Sequence, residues 1–282
     1  MTTTTLTSDS SSAPTSTSGT APTSTIPRER TEYARPSFVR LVRVEWRKTF
    51  DTRAGWWLCA SVLGLSVIAS IAIIAFVAPE EQNYSMFATA IGFPMAVILP
   101  MLAILSITSE WSQRSGLGTF TMVPSRARVI GAKAAVTLVV GVASMTVAMA
   151  VGVAGTLVGS LISGVSPVWD SSPGQLAAIV IANVLGMAMG FMLGVVLRNS
   201  AAAIVGYFVY GFVLTAVSAT LAAYQDWWRD LQPWLDFNFA QGVLFESWPT
   251  GEQWAQLGLA SVPWLVIPTL VGLWTLSRAE VK

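Results

Sequence analysis

Six stretches of this chain run on without one charged side chain, each close to the length that carries a helix across a bilayer, and nothing else in the sequence constrains the fold as strongly. They cover residues 57–77, 87–108, 134–157, 176–197, 201–223 and 257–276. At 1.5 Å of rise per residue, about 20 residues cross roughly 30 Å of hydrocarbon. The runs are continuously apolar, which favours helices over a transmembrane barrel, whose strands alternate in polarity. The expected fold class is therefore all-α integral membrane, with six transmembrane helices. Of the 282 residues, 53% are hydrophobic and 11% charged, too apolar a balance for an ordinary soluble domain.

The segments between the runs fall into two sets on opposite sides of the membrane. One set holds 15 of the 16 basic residues; the other holds only Arg229, beside eight acids, Glu80, Glu81, Asp170, Asp226, Asp230, Asp236, Glu246 and Glu252. The positive-inside rule then predicts a multi-pass protein of the cell membrane with both termini cytoplasmic. An odd number of spans would mix the two sets. Trp56, Trp57, Trp111, Trp169, Trp227, Trp228, Trp254 and Trp274 stand at or just beyond the ends of the runs, where amphipathic rings favour the headgroup layer.

Residues 1–34 form a Thr/Ser/Pro-rich tail with no apolar periodicity, expected to be a disordered cytoplasmic segment. Residues 35–282 form the six-span domain. At its start, 36–53, Phe38, Leu41, Val42, Val44 and Trp46 interleave with Arg40, Arg43, Arg47, Lys48 and Arg53, which predicts an interfacial helix in contact with membrane lipid. The outer segment 224–256 is rich in Trp, Phe and Pro, which predicts a short helical cap.

Several chemistries are excluded by residue types. Histidine is absent, which removes Ser-His and Cys-His nucleophile pairs and His-ligated metal sites. The single cysteine, Cys59, can form no internal disulfide. A net charge of +1 carries no electrostatic footprint for nucleic acid. Lys48, Lys133 and Lys282 are the only lysines and none sits in a phosphate-binding loop. No catalytic or metal site and no cofactor is expected on this chain, and it is not expected to be an enzyme.

No ionised group lies inside the runs, so an ion relay has no visible parts. Asn183 is the most polar side chain in them; an interhelical hydrogen bond is the expected role, and a solute path the alternative. Gly186, Gly190 and Gly194 form a smooth stripe for helix packing. Pro94, Pro100, Pro263 and Pro268 are expected to bend their helices.

The most informative segment follows the second run. Glu110 is followed by Arg114, Gly116, Gly118, Thr119, Phe120 to Val123, Pro124, Arg126 and Arg128, and Lys133 enters the third run. Glycines at the entry and a proline at the exit bound a short element with apolar knobs, suited to a partner's groove, while the basic groups suit a partner's acids or lipid phosphate. This pattern resembles the permease subunits of ABC exporters of the type 2 class: a Glu closing the second span, a Gly-Thr turn, a short apolar helix, a Pro-x-Arg stop and a Lys opening the third span. The end of the chain, Arg278-Ala-Glu280-Val281, is similar to the end of that family. The resemblance implies a cytoplasmic coupling helix between the second and third spans, with Glu110, Arg114, Gly116, Gly118, Thr119, Phe120, Val123, Pro124, Arg126 and Lys133 meeting a separate ATPase subunit. ATP and Mg would bind on that partner. A second permease copy or a sister permease would complete the dimer, and the cargo would be an amphipathic, lipid-like or drug-like solute bound at residues the sequence does not name. An ion-coupled secondary transporter and a non-transporting membrane scaffold are the alternatives.

The topology is tested by single cysteines introduced after Cys59→Ser. A membrane-impermeant thiol probe applied to intact cells is expected to label position 82 and to miss positions 20 and 120. Labelling at 20 or 120, or silence at 82, contradicts the assignment.

Overall fold

The computed structural model describes residues 37–51, 53–112 and 126–278. All the named elements are helical: α1 (Phe38–Asp51), α2 (Arg53–Phe76), α3 (Tyr84–Ser112), α4 (Arg126–Ser163) and α5 (Pro173–Leu197). Next comes α6, built from Ser200–Phe208, a π-helical Val209–Leu214 and Thr215–Tyr224, then α7 (Asp226–Leu235) and α8 (Phe237–Glu246). The last, α9, runs through Gly251–Ser261, a π-helical Val262–Val266 and Ile267–Arg278. Among the described residues six helices are long and apolar enough to span a membrane, over Cys59–Phe76, Tyr84–Ser109, Arg128–Ser163, Pro173–Leu197, Ser200–Tyr224 and Gly251–Leu276. The third extends beyond 134–157 at both ends. The tail 1–34 and the whole of the expected coupling helix, 116–123, lie outside the described residues.

Local signals explain the helix ends. Asn83 accepts the Met86 amide at 2.9 Å to start α3, and Asp170, in the segment between α4 and α5, takes the Ser85 amide at 2.8 Å and its hydroxyl at 2.6 Å. Ser172 caps α5, Asn199 caps α6, Asp236 caps α8, and Thr250 with Gln253 forms a capping box on α9. The chain leaves α5 through Arg198 in the left-handed region, φ 51°, a conformation that only the tight turn to Asn199 requires.

α5 is the centre of the packing, in contact with α3, α4, α6, α8 and α9. Its glycine stripe lies inside the subunit, against α3. A methyl group on Gly190 would stand 2.6 Å from the Pro100 carbonyl oxygen, and one on Gly194 would overlap the Ile107 side chain. Backbone therefore meets backbone there, a contact that dispersion can favour without any help from expelled water. Pro100 has no amide hydrogen to give the carbonyl four residues earlier, and the Tyr207 hydroxyl of α6 donates to that Ala96 oxygen at 3.0 Å. Pro94 and Pro100 both lie within the continuous α3, and Pro263 lies in the π-helical turn of α9. A proline-made defect in one helix is thus closed by a side chain from another.

Outside the spans, α7 and α8 replace the single cap expected from sequence with two short helices. α8 packs on α5, and Phe237 and Leu244 are fully buried. The Asp236 carboxylate takes the Ser218 hydroxyl at 2.5 Å, and Ser218 in turn accepts from Trp228 Nε1 and Gln232 Nε2, both at 3.1 Å.

Gly190→Ala is expected to destabilise the protein by about 1–3 kcal/mol, because the added methyl forces α3 and α5 apart. Gly258→Ala, at a site with nothing near the added methyl, is expected to be neutral or stabilising, since alanine is the better helix former by about 1 kcal/mol. Thermal melting of the purified protein checks both, and equal effects would contradict the packing.

Candidate functional site

Two places bring polar side chains together in an otherwise apolar bundle. The first joins α1 to the beginning of α4. α1 lies along α2 and α4, its Val42 packing with Cys59 against Leu102, Val136 and Val140, and its Phe38 ring near Gly131. The same face carries Glu45, 7% exposed, whose carboxylate meets Lys133 Nζ at 2.7 Å and Lys48 Nζ at 2.9 Å. Lys133 is itself 5% exposed. Burial alone would push the Glu45 carboxyl up; the nearby charges and hydrogen bonds of Lys133 and Lys48 outweigh it and hold the group below its ordinary 4.5.

On the other faces of α1, Val39, Val44, Trp46 and Phe50 are exposed, with Trp46 and Phe50 rings 4.9 Å apart. The expected amphipathic pattern is thus split. Val42 turns to the bundle, whereas Val44 and Trp46 turn away from it, and an acid occupies the centre of the buried face. Glu45 was not singled out from sequence; its spacing from Val42 and Phe38, on one helical face, was the available signal.

Of the residues expected to meet an ATPase, Lys133 is placed at this α1–α4 contact. Glu110 falls on the last turn of α3 and Arg126 on the first of α4, with their side chains outside the described residues. Arg114, Gly116, Gly118, Thr119, Phe120, Val123 and Pro124 lie outside the described residues altogether. The ends of α3 and α6 are joined nearby by Thr108 and Ser200, whose hydroxyl oxygens are 2.7 Å apart, and Arg198 donates to Thr275 of α9 at 2.5 Å.

The second place is a cavity of about 220 Å³ between α3, α5, α6 and α8. Asn183 corrects the sequence reading. Its Nδ2 donates at 2.9 Å to the Ile179 carbonyl of its own helix, so the described bond is intrahelical, and its Oδ1 has no partner among the described residues. Beside it, Gln241 of α8 donates to the Ala182 carbonyl at 2.7 Å, and the buried Tyr210 hydroxyl is also without a partner among the described residues. Tyr207, Tyr210 and Gln241 were not singled out from sequence because each is a common residue in an aromatic or outer segment. A larger cleft of about 430 Å³ opens between α4, α5 and α9, lined by Met187, Phe191, Leu265 and other apolar groups, and it offers little hydrogen bonding.

Removing one partner of the buried pair leaves an uncompensated charge, so Glu45→Leu is expected to cost about 3–5 kcal/mol in denaturation of the purified protein. Glu45→Leu with Lys133→Leu is expected to cost less than the single change. Because the folded carboxyl sits below its ordinary value, its contribution is complete at neutral pH and is lost as pH falls below 4.5 and through the lowered value. A flat acid limb between wild type and Glu45→Leu would contradict the assignment.

No protein-family model matches the chain, and no curated protein matches it either.

Proposed function

We propose that the chain is the membrane permease subunit of an ATP-driven exporter of the ABC type 2 class, working with separate ATPase subunits and a second permease, and moving an amphipathic solute. The observation that carries this reading is the succession of residue types from Glu110 through Gly118, Thr119, Phe120 and Pro124 to Lys133, in a set of segments that holds nearly all the basic residues. A segment that transmits force needs a stiff apolar element joined firmly to the spans it moves. The helices on either side of it fit that demand: α3 is one continuous helix into Ser112, and the start of α4 is tied to α1 through Lys133 and Glu45.

The membrane arrangement in this reading has both termini in the cytoplasm. α1 lies in the inner interface, with Trp46 and Phe50 among the acyl chains and Arg43 and Arg47 at lipid phosphates. α7 and α8 form the outer cap. Energy comes from ATP and Mg on the partner, because this chain has no phosphate-binding loop. The lack of ionised groups in the uncharged runs 57–77, 87–108, 134–157, 176–197, 201–223 and 257–276 argues against the ion-coupled alternative.

Copurification with the candidate ATPase subunits, followed by ATPase rates, tests the reading. Phe120→Asp puts a charge on the proposed knob and is expected to abolish partner binding and transport, since burying an unpaired charge is strongly unfavourable. Glu110→Gln keeps the shape and is expected to lower transport with the complex intact. Asp230→Asn, exposed on α7, is the control; the buried Asp236 is unsuitable because it caps α8 and holds Ser218. Normal binding and normal transport in Phe120→Asp would overturn the proposal.

A further inference from the structure

Two residues that line the cavity between α3, α5, α6 and α8 each carry a buried polar atom with nothing to bond to among the described residues, Asn183 its Oδ1 and Tyr210 its hydroxyl. Asn183 is 3% exposed and Tyr210 8%. An unmade hydrogen bond is costly at such a site, and apolar side chains would relieve it. Asn183 stands ten residues into α5, about 15 Å along the helix axis, well within the span. Tyr210 lies in the π-helical turn Val209–Leu214, which contains no proline to impose it. π-turns of this kind are frequent at functional sites.

The remaining lining narrows the ligand. No lining side chain is charged, while Tyr207, Asn238 and Gln241 add neutral polar groups. One vacant group is an acceptor and the other can both donate and accept, which a hydroxyl satisfies in both directions. At the rim, Phe93 of α3 and Phe212 of α6 are 70% and 53% exposed on the outside of the bundle. Such a rim offers apolar surface beside the polar pocket. The volume far exceeds the ~15 Å³ that one water requires.

We propose that this cavity binds the hydroxyl-bearing, uncharged head group of an amphiphile, with Asn183 and Tyr210 as its hydrogen-bonding partners and the apolar chain leaving past Phe93 and Phe212. Binding there needs neither ATP nor a partner subunit, so it stands or fails separately from the exporter reading.

The test uses the full chain in phosphatidylcholine nanodiscs and a monooleoylglycerol probe carrying a diazirine next to its glycerol ester. Methyl oleate with the same photogroup is the hydroxyl-free comparison. The variants are Asn183→Leu, Tyr210→Phe and, in the separate apolar cleft, Thr137→Val. Monooleoylglycerol is expected to label α5, α6 and α8 peptides saturably. Asn183→Leu and Tyr210→Phe are each expected to weaken its binding about tenfold while melting temperature holds or rises, because each removes an unpartnered polar atom. Thr137→Val is expected to leave binding unchanged. Equal labelling by methyl oleate would overturn the proposal. So would full affinity in both cavity variants, or a lowered melting temperature with unchanged affinity, the result expected if these side chains serve only packing or bound water.

Discussion

The bundle depends on the place where the glycine stripe of α5 meets α3, backbone against backbone at Gly190. Gly190 brings its backbone against the Pro100 carbonyl, and Gly194 leaves room for Ile107. In hydrocarbon there is no water to expel, so such a fit must come from dispersion and from hydrogen bonds that replace missing ones. Pro100 supplies the second need as well. By freeing the Ala96 carbonyl it creates an acceptor that only a neighbouring helix can serve, and Tyr207 brings α6 to it. Three spans are therefore joined through two glycines, one proline and one hydroxyl. The 220 Å³ cavity lies directly beside this junction, between Pro100, Gly186 and α8.

Charge is kept towards the ends of the bundle, and where α1 meets α4 it is paired. Glu45 and Lys133 are both buried, at 2.7 Å, with Lys48 on the other carboxylate oxygen. Such a pair contributes little net stability compared with an apolar equivalent, but breaking it is costly. It therefore acts as a specific fastener between α1 and α4 more than as a source of stability. In the exporter reading this fastener makes α1 move with the third span.

The number and class of the helices were legible because a bilayer demands about 20 uncharged residues in a row, and few other structures do. The stripe of Gly186, Gly190 and Gly194 was legible through its four-residue spacing. Its partner was not, since Pro100 reads as a bend until α3 is seen to lie against it. Asn183 shows the same limit: its polarity was plain, but the intrahelical bond of its Nδ2 and the vacancy at Oδ1 depend on three other elements. Glu45 was hidden because one of two acids among five bases reads as part of a solvated face. Asp236 was equally hidden, since a carboxylate in an outer segment gives no sign that it caps α8 and takes a hydroxyl from α6.

The arrangement of α3, α5 and α6 is the claim on which both the junction and the cavity rest, and one cross-link reads it directly. Thr108 at the end of α3 and Ser200 at the start of α6 have hydroxyl oxygens 2.7 Å apart. In a Cys59→Ser background, Thr108→Cys with Ser200→Cys is predicted to form an intrachain disulfide in native membranes under mild oxidation, whereas Thr108→Cys with Ser218→Cys, at the far end of α6, is predicted to stay reduced. Failure of the first pair to cross-link while the protein remains folded, or efficient cross-linking of the second, would contradict the structure described here.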